Sequence, residues 1–139
     1  MRVVLDPNVL ISASLAPKGI PAALLDAWTQ ERFELVVSPQ LLAELEDVLS
    51  RERLRRWLTQ EEADFFVTRV RLGATLVEDP PPPSSPSTPD PDDDYLVALA
   101  QATGADYLVS GDPHLTELPD PVPPVLTPHQ LLDRLEPQR

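Results

Sequence analysis

Cysteine is absent from the 139 residues, which removes disulfides, zinc fingers and thiol nucleophiles from consideration. Lysine is nearly absent too: Lys18 stands alone, and arginine carries the positive charge. Four glycines are too few for a glycine-rich phosphate loop. The two histidines, His114 and His129, have no spacing that suits a zinc site or a catalytic triad, and both read as loop or surface residues. No apolar run approaches the ~20 residues that cross a bilayer. The opening residues read as a short strand, not as a charged segment followed by a long apolar stretch. A soluble, cytoplasmic chain with no membrane partner is the expectation.

What is abundant is acid and proline. The formal net charge is −12, whereas a protein whose whole surface grips nucleic acid should be basic. Part of the acidity is concentrated, with four aspartates in the five positions of "DPDDD" at 90–94. Such a run reads as a solvated, self-repelling segment or as a cation site. Seven of the eighteen prolines fall in "DPPPPSSPSTPDP" (79–91). That stretch cannot build a core and reads as an extended, semi-rigid connection. Only 48 residues follow it, so a single domain over 1–139 with a proline-rich loop at 79–91 is expected.

Strand and helix signals alternate along the chain. Short apolar runs at 2–5, 33–38, 74–78, 107–110 and just before Thr127 predict strands. Helical spacing appears in "GIPAALLDAWTQE" (19–31), in "PQLLAELEDVL" after Ser38, in "TQEEADFFVTRV" (59–70), in "DDYLVALAQATG" (93–104) and after Thr127-Pro128. Ser38-Pro39 is a cap followed by a first-turn proline, and Thr59 with Glu62 has capping-box spacing. This alternation predicts an α/β fold, a three-layer α/β/α sandwich with a central parallel sheet.

Two predicted strands run into an aspartate followed by proline: "LDPN" at Asp6 and "SGDPH" at Asp112. Asp6 has two readings. Its side chain caps a turn, or a buried strand delivers an acid to the crevice where open α/β sheets hold ligands. Parallel strands place their ends on one edge, so Asp6 and Asp112 converge if their strands are neighbours. The helix starting near Asp93 and Asp94 begins on that edge, and Glu44 lies in the helix after the second strand. Oxygen ligands of this kind suit Mg²⁺ or Mn²⁺. An aspartyl-phosphate site would want a nearby lysine, and Lys18 is poorly placed for it.

"VVLDPNVLISA", "SPQLLAELEDVL" and "DPDDDYLVALAQATGADYLVSGD", in that order, resemble the PIN domain. The similarity is strongest to the branch of toxin–antitoxin toxins related to VapC-type ribonucleases. It implies an α/β/α sandwich whose acids gather Mg²⁺ or Mn²⁺ to cut single-stranded RNA, with an antitoxin protein as partner and a homodimer as the common assembly. By this resemblance Asp6 matches the first acid, Glu44 the second, Asp94 the third with Asp93 its close competitor, and Asp112 the fourth. Asn8 and Ser110 match supporting polar positions. Two departures stand out. Pro7 replaces the family's usual Thr or Ser, and the proline-rich insertion exceeds the usual connection.

The cluster "SRERLRRW" (50–57) brings Arg51, Arg53, Arg55 and Arg56 together, with Arg69 and Arg71 nearby in sequence. It reads either as a track for RNA phosphates, carried by Arg51, Arg55 and Arg56, or as a solvated face with i,i+4 pairs. The functional expectation is a metal-dependent endoribonuclease. Its alternative is a catalytically weak PIN-fold binding module acting through a protein partner, for which Pro7 and the net charge speak. A nuclease for structured DNA is a weaker third reading.

Overall fold

The computed structural model describes residues 1–81 and 94–135; most of the proline-rich segment and Asp93 lie outside the described residues. Five strands, β1 (Arg2–Leu5), β2 (Glu34–Val37), β3 (Thr75–Leu76), β4 (Tyr107–Val109) and β5 (Val125–Leu126), form one parallel sheet in the order β3-β2-β1-β4-β5. Val3 pairs with Leu35 on one side and Tyr107 on the other, and Leu5 lies beside Val109. Val3, Val4 and Leu5 are fully buried, as the uninterrupted apolar run demands of a strand covered on both faces.

The helices are α1 (Pro7–Leu15), α2 (Ile20–Thr29), α3 (Pro39–Leu49), α4 (Gln60–Gly73), α5 (Asp94–Ala102), α6 (Pro113–Thr116) and α7 (Pro128–Leu135), with a 3₁₀ turn at Glu52–Arg56. α1 packs on α2 and α3, α3 on α4, and α2 on α7, whereas α5 lies on β1 and β4. Right-handed crossovers explain the division. The chain travels outward from β1 to β3, then returns past β1 to β4, so α5 covers the opposite face. Among the described residues no single helix is long and apolar enough to cross a membrane.

Local chemistry starts these helices where the sequence placed them. The Ser38 hydroxyl accepts from the Leu41 N–H, and Thr59 and Glu62 form a reciprocal capping box. Backbone hydrogen bonding holds the Glu62 carboxyl below its usual range. Prolines open α1, α3, α6 and α7, where a missing N–H leaves no helical bond unmade. Gly104 ends α5 in the left-handed region, with φ at 64°.

Besides the short α6 and the 3₁₀ turn, the sequence reading omitted α1. Its buried residues, Pro7, Val9, Leu10, Ile11 and Ala13, leave little polar face to mark a helical period.

Candidate active site

The strand order, though not the strand direction, reverses between β1 and β4, and at such a switch point doubly wound sheets have a ligand crevice at the carboxyl ends of their strands. Asp6 stands at its floor, directly after β1 and 4% exposed. It caps a turn, as one reading expects, and it also lies at the strand's carboxyl end. Its Oδ1 accepts from the Asn8 N–H at 3.0 Å and caps α1, while its Oδ2 accepts from the Ser110 hydroxyl at 2.8 Å. The Asp6 N–H donates to the Val109 carbonyl at 2.9 Å, which ties the turn to β4.

Asp112 repeats the device on the other side of the crevice. Its Oδ1 accepts from the His114 N–H at 2.9 Å, with Pro113 opening α6 as Pro7 opens α1. The Asp112 N–H donates to the Ser110 Oγ at 3.0 Å. Ser110, fully buried, therefore joins the two aspartates through one hydroxyl. Burial pushes the Asp6 carboxyl up, opposed by the Asn8 N–H and the Ser110 hydroxyl and reinforced by the charge of Asp112.

Glu44 reaches this group through a residue the sequence reading did not single out. The Tyr95 hydroxyl donates to Glu44 Oε2 at 3.1 Å. Tyr95 is pushed up, first by burial, then by the charge and hydrogen bond of Glu44, then by Asp6 and Asp79. Its hydroxyl thus remains a proton donor among carboxylates. Asp94, the first residue of α5, is half-buried immediately before it.

Asp79 is a second residue left out. Its Oδ2 accepts from the Gln40 N–H at 2.9 Å, and its Oδ1 is buried without a hydrogen-bond partner among the described residues. The signal was present: "TLVED" carries an acid just past β3, as "VVLD" does past β1.

The arginine cluster divides. Arg51 pairs with Asp47 at 3.1 Å across one helical turn. Arg55 donates to the Leu49 carbonyl at the end of α3 and to Gln60 Oε1, so its side chain fastens the 3₁₀ turn to both neighbouring helices. Arg71 pairs with Glu46, and Arg69 donates to the Thr29 hydroxyl. Arg56 lies over the Trp57 ring, 5.3 Å from its centroid.

The PIN domain family matches residues 2–114, most of the chain and all of the crevice. The chain belongs to the PIN domain family. This PIN domain is 28% identical over 120 residues to MJ1680 of Methanocaldococcus jannaschii, an uncharacterized protein, spanning 86% of this chain and 76% of that one. Its fold matches the crystal structure of PAE2754 from Pyrobaculum aerophilum with a TM-score of 0.67 at 18% identity, covering 97% of this chain and 89% of the other. VapBC2 from Rickettsia felis, bound to a DNA fragment from its promoter, matches at 0.61 and 16%, over 91% and 97% of the two chains. FitAcB from Neisseria gonorrhoeae matches at 0.57 and 19%, over 91% and 98%.

PIN-domain nucleases typically use divalent metals, and the donors here suit one in kind: carboxylates, with Asp6 carrying an unfavourable burial and Asp79 an unpartnered oxygen. The arrangement is open. Among the described residues no three acidic or histidine side chains gather closely enough to hold an ion together.

Ser110→Ala tests the hydroxyl that joins the two halves. The change strips a donor from Asp6 Oδ2 and an acceptor from the Asp112 N–H, so a loss of about 1–3 kcal/mol in chemical denaturation is expected. An unchanged midpoint would detach Ser110 from Asp6 in solution.

Proposed function

We propose that this PIN domain is a Mg²⁺- or Mn²⁺-dependent endoribonuclease acting on single-stranded RNA, and the toxin of a toxin–antitoxin pair. The observation that carries the reading is Asp6, a buried carboxylate at the switch point of the sheet, oriented by Ser110 and the Asn8 N–H beside Asp112. Likeness to VapBC2 and FitAcB, and the sequence resemblance to that branch, support the antitoxin partner. A cytoplasmic location and a homodimer accompany the proposal by the same resemblance.

In this mechanism Asp6, Glu44, Asp94 and Asp112 would hold the ion, with Asp93 the alternative to Asp94. The ion supplies positive charge that relieves the carboxylates and stabilises the scissile phosphate. The protein's own residues fix the geometry. Ser110 and the Asn8 N–H stop the Asp6 carboxylate from rotating, and the Tyr95 hydroxyl holds Glu44. The Asp112 carboxylate is pinned by the His114 N–H. The His114 ring, mostly exposed, stands 3.8 Å from the same Asp112 Oδ1.

Pro7 does not disturb this arrangement. It is buried at the first position of α1, where its ring needs no N–H and leaves the Asp6 cap intact.

Incubating the purified protein with a mixed RNA pool tests the activity. Fragments should accumulate with Mn²⁺ or Mg²⁺ and not with EDTA. Equal cleavage in EDTA, or none in any metal, would defeat the proposal.

A further inference from the structure

The net charge of −12 leaves open how a polyanion approaches the crevice. Beside it runs a groove of about 810 Å³ between α1, the end of α3 and the 3₁₀ turn. Its walls include Asn8, Ile11, Val48, Arg53, Arg56 and Trp57. We propose that this groove is the approach track for single-stranded RNA, with Trp57 as a base-stacking platform and Arg53 and Arg56 as its cations. The proposal rests on the ribonuclease reading and names how that site receives its substrate.

Three observations favour RNA over other occupants. The first is charge. Arg53, Arg55 and Arg56, three of the chain's ten arginines, line the groove, and the acid among the lining residues is Glu52. Arg55 is tied inward to the Leu49 carbonyl, whereas Arg53 is exposed and makes no ion pair among the described residues. A local positive surface on an acidic protein is where a polyanion is drawn in.

The second is Trp57, which is 60% exposed although its neighbours Leu54 and Leu58 are buried. An indole left in water beside a guanidinium is the pairing that binds unstacked bases, since every base offers a π-face. Duplex RNA hides those faces. Packing alone does not require Trp57: Leu54 and Leu58 already anchor the turn to the core.

The third is continuity. Asn8 lines the groove with its body and donates its N–H to the Asp6 carboxylate. The groove that Trp57 lines thus reaches Asn8, two positions from Asp6.

Binding is measured in EDTA, where no cleavage intervenes, with a 12-nucleotide oligouridylate and a duplex RNA of the same length. The intrinsic fluorescence reports the contact directly, because Trp28 is buried and Trp57 is the exposed indole. The single strand should quench it, and the duplex should bind more weakly. Trp57→Ala should weaken binding roughly tenfold, and Trp57→Phe should restore most affinity without the quench. Arg53→Glu with Arg56→Glu should lower the salt slope by about 0.7 per lost phosphate contact. All three variants alter exposed side chains, and a thermal melt confirms their folding.

Parent-like affinity in Trp57→Ala, equal binding of duplex, or no binding by the parent would overturn the track. So would a Trp57→Ala variant that changes sedimentation but not RNA affinity, which would make the groove a protein interface. Mn²⁺-dependent cleavage that survives in Trp57→Ala with unchanged KM would remove the track and leave the ribonuclease. Trp57-dependent binding without cleavage in any metal would do the reverse.

Discussion

Asp6→Asn is expected to remove Mn²⁺-dependent RNA cleavage while making the metal-free protein more stable at neutral pH. Loss of even an outer partner of a metal ligand commonly lowers activity by about 10–100-fold, so loss of a central carboxylate should exceed that range. Stability moves the other way. Burial pushes the Asp6 carboxyl above its ordinary 3.8. Below 3.8 both folded and unfolded chains hold the proton, and the stability it confers is fully present. As pH rises through the higher folded value, the buried group must ionise and that stability is lost. Asparagine stays neutral throughout and its oxygen can still cap the Asn8 N–H. The melting temperature of Asp6→Asn should therefore exceed the parent's at pH 7 and converge with it below 3.8. A variant less stable than the parent at both pH values would mean that the hydrogen bonds to Ser110 and Asn8 outweigh burial.

Divalent metal should raise the parent's melting temperature more than monovalent salt at matched ionic strength. A cation bound to the folded state alone, at about ten times its Kd, adds roughly 1.4 kcal/mol. For a chain of this size that corresponds to about 3–6 °C. The open spacing of the acids makes this a stringent measurement, because binding must draw them together. Asp94→Asn should shrink the shift more than Asp93→Asn if Asp94 is the ligand. No divalent-specific shift in the parent would leave the carboxylates as an acidic surface.

Much of this architecture was legible because local and global signals agreed. Val3–Leu5 and Leu35–Val37 are apolar without interruption, and only a sheet covered on both faces buries every residue of such runs. Ser38-Pro39 and Thr59 with Glu62 announced helix starts that the structure keeps. α1 escaped because periodicity needs contrast, and its apolar residues extend around most of its circumference. Asp6 and Asp112 were legible as strand-end acids, yet their shared Ser110 hydroxyl depends on which strands are neighbours. Tyr95 was hidden inside an ordinary helical pattern. Its contact with Glu44 spans 51 positions and exists only after folding has brought the start of α5 to Glu44. Arg55 looked like a surface cation because nothing local shows that the Leu49 carbonyl needs a donor.

The bond from Ser110 to Asp6 joins residues 104 positions apart. β1 lies between β2 and β4, so its second edge is satisfied by a strand that is made about a hundred residues after it. A nascent chain that has not yet released β4 has Asp6 but no wall opposite it, and such distant pairings also form slowly. The crevice thus waits on β4. Fragments ending before Tyr107 should carry neither the fixed Asp6 carboxylate nor the Ser110 hydroxyl that holds it, so no piece of the sheet short of β4 can assemble the site.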